Sequence, residues 1–186
     1  MEVSVVRYQE AEPSSYPNLI GYDEEGDQLD PIIPDRSLWR RIENYICLRH
    51  TPRQAIWSIV GPGTWEPHLS PLSAVSVDVW SETDYTWSAV TPVQTALGGF
   101  DFAERKTYRI TGTLGDTSEV PQLIVMAYQR LAEYCEDTAL TPAGASSYSN
   151  RIGDGLDETI ERSPAWLARA LQNSGCADLL RSFRRI

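Results

Sequence analysis

The sequence has no apolar run approaching the roughly 18–20 residues that a membrane-spanning helix requires, so no membrane partner is expected. Its first ten residues contain one arginine, two glutamates and no apolar stretch, which argues against a secretory signal peptide. Cysteine is scarce as well: Cys47, Cys135 and Cys176 are odd in number and far apart. This spacing argues against a disulfide scaffold and favours a reducing compartment.

Residues that carry common catalytic chemistry are also few. The chain has two histidines, His50 and His68, and no C-x-x-C spacing, so we expect no metal site. It lacks the G-x-G-x-x-G, phosphate-loop, G-x-S-x-G and H-E-x-x-H motifs. The sequence leaves open a nucleophilic cysteine beside a histidine. However, Cys47 and Cys135 lie on or next to apolar helix faces, where inert buried thiols are expected. We therefore predict neither an enzymatic activity nor a cofactor.

Positive charge is in short supply. The 16 lysines and arginines are outnumbered by 26 acidic residues, which gives a net charge of −10 and an isoelectric point near 4.6. Because non-specific nucleic-acid binding depends on cations that neutralise phosphates, so acidic a protein is expected to repel nucleic acid. The charge is also uneven: residues 1–35 hold nine acids and one arginine, whereas residues 165–186 hold four arginines and one aspartate.

The first part of the chain is predicted to be an extended acidic arm. Residues 1–35 combine a β-prone stretch, Val3 to Tyr8, with four prolines and a run of acidic residues that lacks the ligand spacing of a calcium-binding loop. A helix is then expected from Asp35 or Ser37 to about Arg49, since apolar residues recur there at helical spacing. These residues are Leu38, Trp39, Ile42, Tyr45 and Ile46.

The middle of the chain is predicted to form a small antiparallel sheet. Apolar and polar residues alternate in Gln54 to Val60 and in Ala74 to Trp80, a period that is typical of half-buried strands. Tyr85 to Ala89 and Lys106 to Thr113 add further strands. The tryptophans of this region fit the core or a sheet face, except Trp65, which fits the core and an interface equally well.

A second helix is predicted from the cap at Ser118 to about Asp137. The expected fold class is α+β: two main helices packed with a small antiparallel β-sheet, plus an extended C-terminal arm with short helices. The expected division is an acidic N-terminal arm (1–35), a helix/sheet/helix core domain (36–138), and a linker with a C-terminal docking arm (139–186). The apolar stripe of the second helix consists of Val120, Leu123, Ile124, Ala127, Tyr128, Leu131 and Cys135.

The last part of the chain looks like a linker followed by a docking segment. Residues 138–162 are rich in glycine, serine and other turn-forming residues, and Ser163-Pro164 then begins a short helix that Gly175 can end. The tail combines large apolar side chains with cations, which is typical of a segment that binds another macromolecule. The candidate partner-binding residues are Trp166, Leu167, Arg169, Leu171, Leu179, Leu180, Arg181, Phe183, Arg184 and Arg185.

Three stretches of the chain resemble a known family. Val125 to Tyr134 (VMAYQRLAEY) is similar to the x-A-x-R-R-L-A-E-Y helix of head–tail connector (adaptor) proteins from tailed bacteriophages and gene transfer agents. The tail from Ser163 to Arg185 resembles the C-terminal segment of these adaptors, and Arg49 to Arg53 (RHTPR) resembles the stretch after their first helix. The resemblance covers about residues 36–60 and 119–186 and leaves the acidic arm unmatched.

The resemblance implies a structural virion protein without enzymatic activity or cofactor. Such adaptors form a ring, usually of twelve copies, between the portal protein and a tail-proximal stopper or terminator protein. Genomic DNA passes through the ring, and the C-terminal segment docks on the portal. The implied location is the neck of the virion, after assembly in the host cytoplasm.

The acidic composition is compatible with this role, because an electronegative wall lets DNA slide without binding. Neighbours in such a ring are expected to meet through sheet edges and helix flanks. Three other interpretations stay open: another neck or tail protein such as a stopper or tail terminator, a small-molecule enzyme, and a non-viral partner-binding module.

Overall fold

The computed structural model describes residues 3–21, 33–139, 147–152, 156–161 and 168–184. The chain divides into two compact units, each assembled from two separate stretches of sequence. The first, the β unit, comprises Met1–Ser15 and Cys47–Ser118, and the second, the helical unit, comprises Tyr16–Ile46 and Glu119–Ile186.

The described part of the β unit contains two antiparallel sheets. In chain order the strands are β1 (Ser4–Glu10), β2 (Arg53–Val60), β3 (Gly63–Trp65), β4 (Leu72–Ser81), β5 (Thr86–Ala89), β6 (Val93–Gln94), β7 (Phe100–Phe102) and β8 (Thr107–Leu114). The larger sheet has the order β1-β2-β8-β4-β5, and the smaller sheet has the order β3-β7-β6.

The core of the β unit lies on one face of the larger sheet. Along β2 and β8, buried residues alternate with half-buried ones, as the two-residue period of a strand dictates. Trp57 in β2 lies opposite Ile110 in β8, and both side chains are fully buried. Trp65 and Phe102 from the smaller sheet join the same apolar cluster, which places Trp65 in the core.

The N-terminal strand is held in this sheet by a carboxylate as well as by its backbone. β1 pairs with β2, and its last residue, Glu10, accepts hydrogen bonds from Arg49 Nε at 2.6 Å and from Arg53 Nη1 at 3.1 Å. Both arginines are only 6% exposed, and Tyr8 donates its phenol proton to the same carboxylate at 2.7 Å. Because buried cations are costly without a counter-charge, β1 completes the β unit.

The helical unit is centred on α1 (Asp35–Ile46) and α2 (Gln122–Ala139), which contact each other. One face of α1 is fully buried, because its apolar residues recur at helical spacing. Trp39 Nε1 donates a hydrogen bond to the Pro17 carbonyl oxygen at 2.7 Å, and the Tyr128 phenol on α2 donates one to the Asp35 carboxylate. No helix within the described ranges has the length and apolarity needed to cross a membrane.

The rest of the helical unit is built from short elements. The antiparallel hairpin of β9 (Ser147–Ile152) and β10 (Leu156–Glu161) is followed by α3 (Ala170–Asn173), α4 (Cys176–Leu179) and a 3₁₀ turn (Arg181–Phe183). The hairpin lies inside the stretch predicted to be a linker.

The predicted fold class is wrong. The protein is mostly antiparallel β-sheet with short helices, the longest described helix being α2 with 18 residues. The two helices contact each other within the helical unit, whereas the five-stranded and three-stranded sheets belong to the β unit. Sequence periodicity underestimated the strand content because β3, β6 and β7 have only two or three residues each, too few to show an alternation.

The compact units also differ from the predicted division into arm, core domain and docking arm. The expected arm is shared between both units, since β1 belongs to the β unit and residues 16–21 belong to the helical unit. The expected core domain is split at Cys47 and again after Ser118. The pairing of β1 with β2 joins residues about 50 positions apart, and such a contact leaves no local pattern in the sequence.

Candidate docking segment

The C-terminal residues 169–184 form a small folded segment, which we call the docking segment. Two single-turn helices, α3 and α4, are separated by Gly175, whose φ of 76° lies in the left-handed region that glycine adopts without steric cost. α3 ends at Asn173, two residues before Gly175, close to where the sequence predicted that Gly175 can end this helix. A 3₁₀ turn then leads to Arg184.

This segment folds back onto the helices of its own unit. α3 and α4 both contact α2, and the side chains of Ala170, Cys176 and Leu180 are fully buried. Asn173 Nδ2 donates a hydrogen bond to the Tyr134 hydroxyl at 3.0 Å. The C-terminal tail is thus an ordered part of the helical unit.

Tyr45 on α1 makes a second set of contacts with the docking segment. Its hydroxyl donates a weak hydrogen bond to the Ala177 carbonyl oxygen at 3.4 Å. The Arg184 guanidinium lies 5.4 Å from the centroid of the Tyr45 ring, within the range of a cation–π interaction. This contact fixes the direction of a cation that is otherwise exposed.

The candidate partner-binding residues differ in how far their side chains are exposed. Arg169, Arg181 and Arg184 are exposed, whereas Leu171, Leu179 and Phe183 are half-buried. Trp166, Leu167 and Arg185 lie outside the described residues. Leu180 is fully buried within its own chain, so in this conformation it has no apolar area to offer to a partner.

The cysteines near this segment are poor nucleophiles. Cys135 on α2 and Cys176 on α4 are at most 2% exposed. Burial raises the pKa of Cys135 above its usual value and that of Cys176 to about 12. Since the thiolate is the reactive form, both thiols are inert at neutral pH.

Both histidines lie in the β unit. The His68 ring contacts Tyr8 and Trp57, with centroids 5.5 and 6.5 Å away. Burial lowers the pKa values of both His50 and His68. Among the described residues, no group of three histidine, cysteine or acidic side chains is arranged to hold a metal ion.

A polar and aromatic cluster in the β unit was not anticipated as a group. Trp80 on β4 and Trp87 on β5 are cross-strand neighbours with ring centroids 5.2 Å apart. The Arg109 guanidinium on β8 lies 4.6 Å from the Trp87 ring centroid, and its Nη2 donates a hydrogen bond to Asp78 Oδ2 at 2.8 Å. The sequence placed both tryptophans on a sheet face, but it did not indicate that β8 is the neighbour of β4.

No protein-family model, curated protein or solved structure matches the chain.

Proposed function

We propose that this chain is a structural virion protein, a head–tail connector that forms a twelve-fold ring under the portal. In this role it bridges the portal and a tail-proximal stopper or terminator protein, and DNA passes through the ring without specific binding. It acts in the neck of the virion after assembly in the host cytoplasm, with no catalytic activity and no cofactor.

One observation carries the proposal: two of the stretches that resemble the adaptor family meet in space. The VMAYQRLAEY stretch lies within α2, and the C-terminal stretch that includes α4 packs on that same helix. The residues joining them are separated in sequence, as Asn173 and Tyr134 are 39 positions apart. If the resemblance of these two stretches to the adaptors were a coincidence, there would be no reason to expect the two stretches to pack against each other.

The exposed arginines are the part of the docking segment best suited to a partner. Arg169 and Arg181 present guanidinium groups that bind carboxylates in a bidentate geometry. A portal surface with acidic side chains fits them. Because Leu180 is buried, docking uses the outer face of the segment, and the half-buried Leu171, Leu179 and Phe183 border that face.

Charge reversal tests portal docking. In an Arg169→Glu, Arg181→Glu double variant, binding to purified portal rings of the same virus is expected to weaken about tenfold or more, because attraction to acidic side chains becomes repulsion. The matched control is Arg105→Glu, which reverses an exposed arginine in the β unit and should leave portal binding unchanged. Sedimentation of the chain with portal rings measures the effect.

Electron cryomicroscopy of the virion neck decides between this proposal and its alternatives. The connector assignment requires density for this chain directly under the portal. Density further down, without portal contact, would assign the chain as a stopper or tail terminator. Absence of the chain from purified particles would leave the non-viral partner-binding module as the better interpretation.

A further inference from the structure

The larger sheet of the β unit ends in two strands, β1 and β5, that each have a neighbour on one side only in the described pairing. Sheet edges present unpaired backbone groups, and monomeric proteins usually protect them with charge, proline or very short strands. β1 is seven residues long, and its Val5 and Val6 are 51% and 67% exposed. β5 is short, with the four residues Thr-Trp-Ser-Ala, but it carries neither charge nor proline.

The backbone groups that β5 presents at its edge follow from its pairing with β4. The Val90 N–H donates to the Val77 carbonyl at 2.9 Å, and opposite residues alternate between bonded and non-bonded pairs along an antiparallel ladder. Ser88, opposite Val79, is therefore bonded to β4. Trp87 and Ala89 then direct their N–H and C=O groups to the open edge.

The same argument applies to β1. The Ala11 N–H donates to the Gln54 carbonyl at 2.8 Å, so the neighbouring pair of Glu10 with Ala55 is non-bonded. Tyr8, two residues earlier, is also in a non-bonded pair. The backbone groups of Tyr8 and Glu10 are therefore directed away from β2, to the open edge.

The two edges are complementary in direction and in charge. Four antiparallel steps separate β1 from β5 in the sheet, so the two strands run in the same direction. A head-to-tail arrangement that keeps this direction places β1 of one copy parallel to β5 of the next. Arg7 on β1 is exposed, and so are Glu82 and Asp84 in the turn that precedes β5.

We propose that copies of this chain associate edge to edge, with β1 of one copy pairing in parallel with β5 of its neighbour. The contact is heterologous, and repeated contacts of this kind close into a ring when the rotation permits. This inference identifies the strands through which neighbouring subunits of the proposed ring make contact. The closure of these contacts into a ring rests on the proposed function. The Trp80, Trp87 and Arg109 cluster lies beside the contact, and these residue types dominate the energetics of protein interfaces.

A two-fold arrangement fits the edges less well. It pairs β1 with β1 or β5 with β5, in antiparallel orientation. A β5–β5 pair has only four residues from each copy. A β1–β1 pair centred on the strand brings Arg7 towards a second Arg7. Like charges at an interface disfavour the contact.

Crosslinking distinguishes the two arrangements. In a Gln9→Cys, Ser88→Cys double variant, which replaces two exposed residues next to the proposed contact, a short bis-maleimide is expected to give a ladder of multimers on a denaturing gel. An equal mixture of the two single variants should give heterotypic dimers, and each single variant alone should give the background of the wild-type chain. The reaction is run on the concentrated chain and on the chain bound to portal rings.

A proline substitution tests the backbone contact. Ala89→Pro removes an N–H that points to the open edge and no hydrogen bond to β4, and proline is tolerated on edge strands. It is expected to weaken self-association about tenfold in sedimentation, the equivalent of one hydrogen bond. Ala89→Ser keeps the N–H and should associate like the wild-type chain, and circular dichroism verifies the fold of both variants.

Dimers from either single variant alone would overturn the inference in favour of a two-fold contact. Absence of crosslinks in every mixture, in solution and on portal rings, would overturn it as well. A full ladder together with failure to bind the portal would instead refute the proposed function while leaving the subunit contact intact.

Discussion

Tyr128 on α2 donates its phenol proton to the Asp35 carboxylate in the first turn of α1, across 93 residues of sequence. The side chain is fully buried, and burial together with the carboxylate raises its pKa above the usual value. Tyr128→Phe is expected to lower the free energy of unfolding by about 1.5–3 kcal/mol, the range for hydrogen bonds to charged groups. Chemical denaturation measures the change.

The matched control is Tyr85→Phe, which removes the hydroxyl of a 76% exposed tyrosine. Its effect should stay within about 0.5 kcal/mol, as for most surface substitutions. Equal effects of the two variants would mean that the hydrogen bond to Asp35 contributes nothing to stability.

Glu10 makes the stability of the protein depend on pH. Burial tends to raise the pKa of its carboxyl, but the hydrogen bonds from Arg49 and Tyr8 and the charges of Arg49 and Arg53 outweigh burial, and the pKa lies below the usual 4.5. A carboxyl whose pKa is lower in the folded chain than in the unfolded chain contributes fully above the unfolded value. The contribution is lost as the pH falls through the folded value.

Glu10→Gln should therefore lower the free energy of unfolding by about 3 kcal/mol at neutral pH, because it leaves two buried arginines without their carboxylate. The difference from the wild-type chain should shrink as the pH falls from about 4.5, where Glu10 of the unfolded chain takes up a proton, through the lower pKa that Glu10 has in the folded chain. Denaturant titrations across this pH range measure it. Glu82→Gln, at an exposed turn, is the control, and a pH-independent gap for Glu10→Gln would refute the ionic origin of the effect.

At the scale of elements, Leu180 is the largest fully buried side chain of the docking segment. Leu180 is fully buried, whereas its neighbour Leu179 is half-buried. Leu180→Ala is expected to cost about 3 kcal/mol and Leu179→Ala about 1 kcal/mol, since the loss depends on the cavity left behind. Hydrogen exchange should show earlier opening of α4 in the Leu180 variant, and equal behaviour of both variants would mean that the segment is not seated as described.

The elements with a clear period could be predicted from the sequence. β2 and β4 lie where alternation placed them, and α1 and α2 lie where the helical period placed them. β5 and β8 match the further strands predicted at Tyr85 to Ala89 and Lys106 to Thr113. The apolar stripe of α2 was predicted too wide, because Leu123 is 42% exposed while the adjacent Ile124 is fully buried. Periodicity locates a helix face to within about one residue, since neighbours lie roughly 100° apart around the axis.

The features that the sequence could not reveal depend on partners far away in the chain. Nothing near Glu10 indicates that its carboxylate meets Arg53, 43 positions later. For the candidate site, the sequence located the tail and its cations. It did not reveal that Leu180 is already covered by its own chain, because an apolar residue looks the same whether it is buried within its subunit or in an interface.

At the scale of the whole molecule, the N-terminal residues decide whether the β unit is complete. Deletion of residues 1–10 removes β1, its pairing with β2 and the Glu10 carboxylate. We expect the free energy of unfolding to fall by about 3 kcal/mol or more, because Arg49 and Arg53 lose the carboxylate with which they pair. Chemical denaturation measures it, and an unchanged transition would restore the interpretation of these residues as an arm outside the fold.

The interleaved order of the two units has a consequence for synthesis on the ribosome. β1 is synthesised before β2 and has no strand to pair with until β2 follows. α1 likewise cannot contact α2 until the whole β unit has been translated. Neither unit can be finished before the chain has crossed between them, so the nascent protein carries two incomplete cores at once. A chaperone bound at this stage should raise the yield of native protein, since exposed apolar surface favours aggregation.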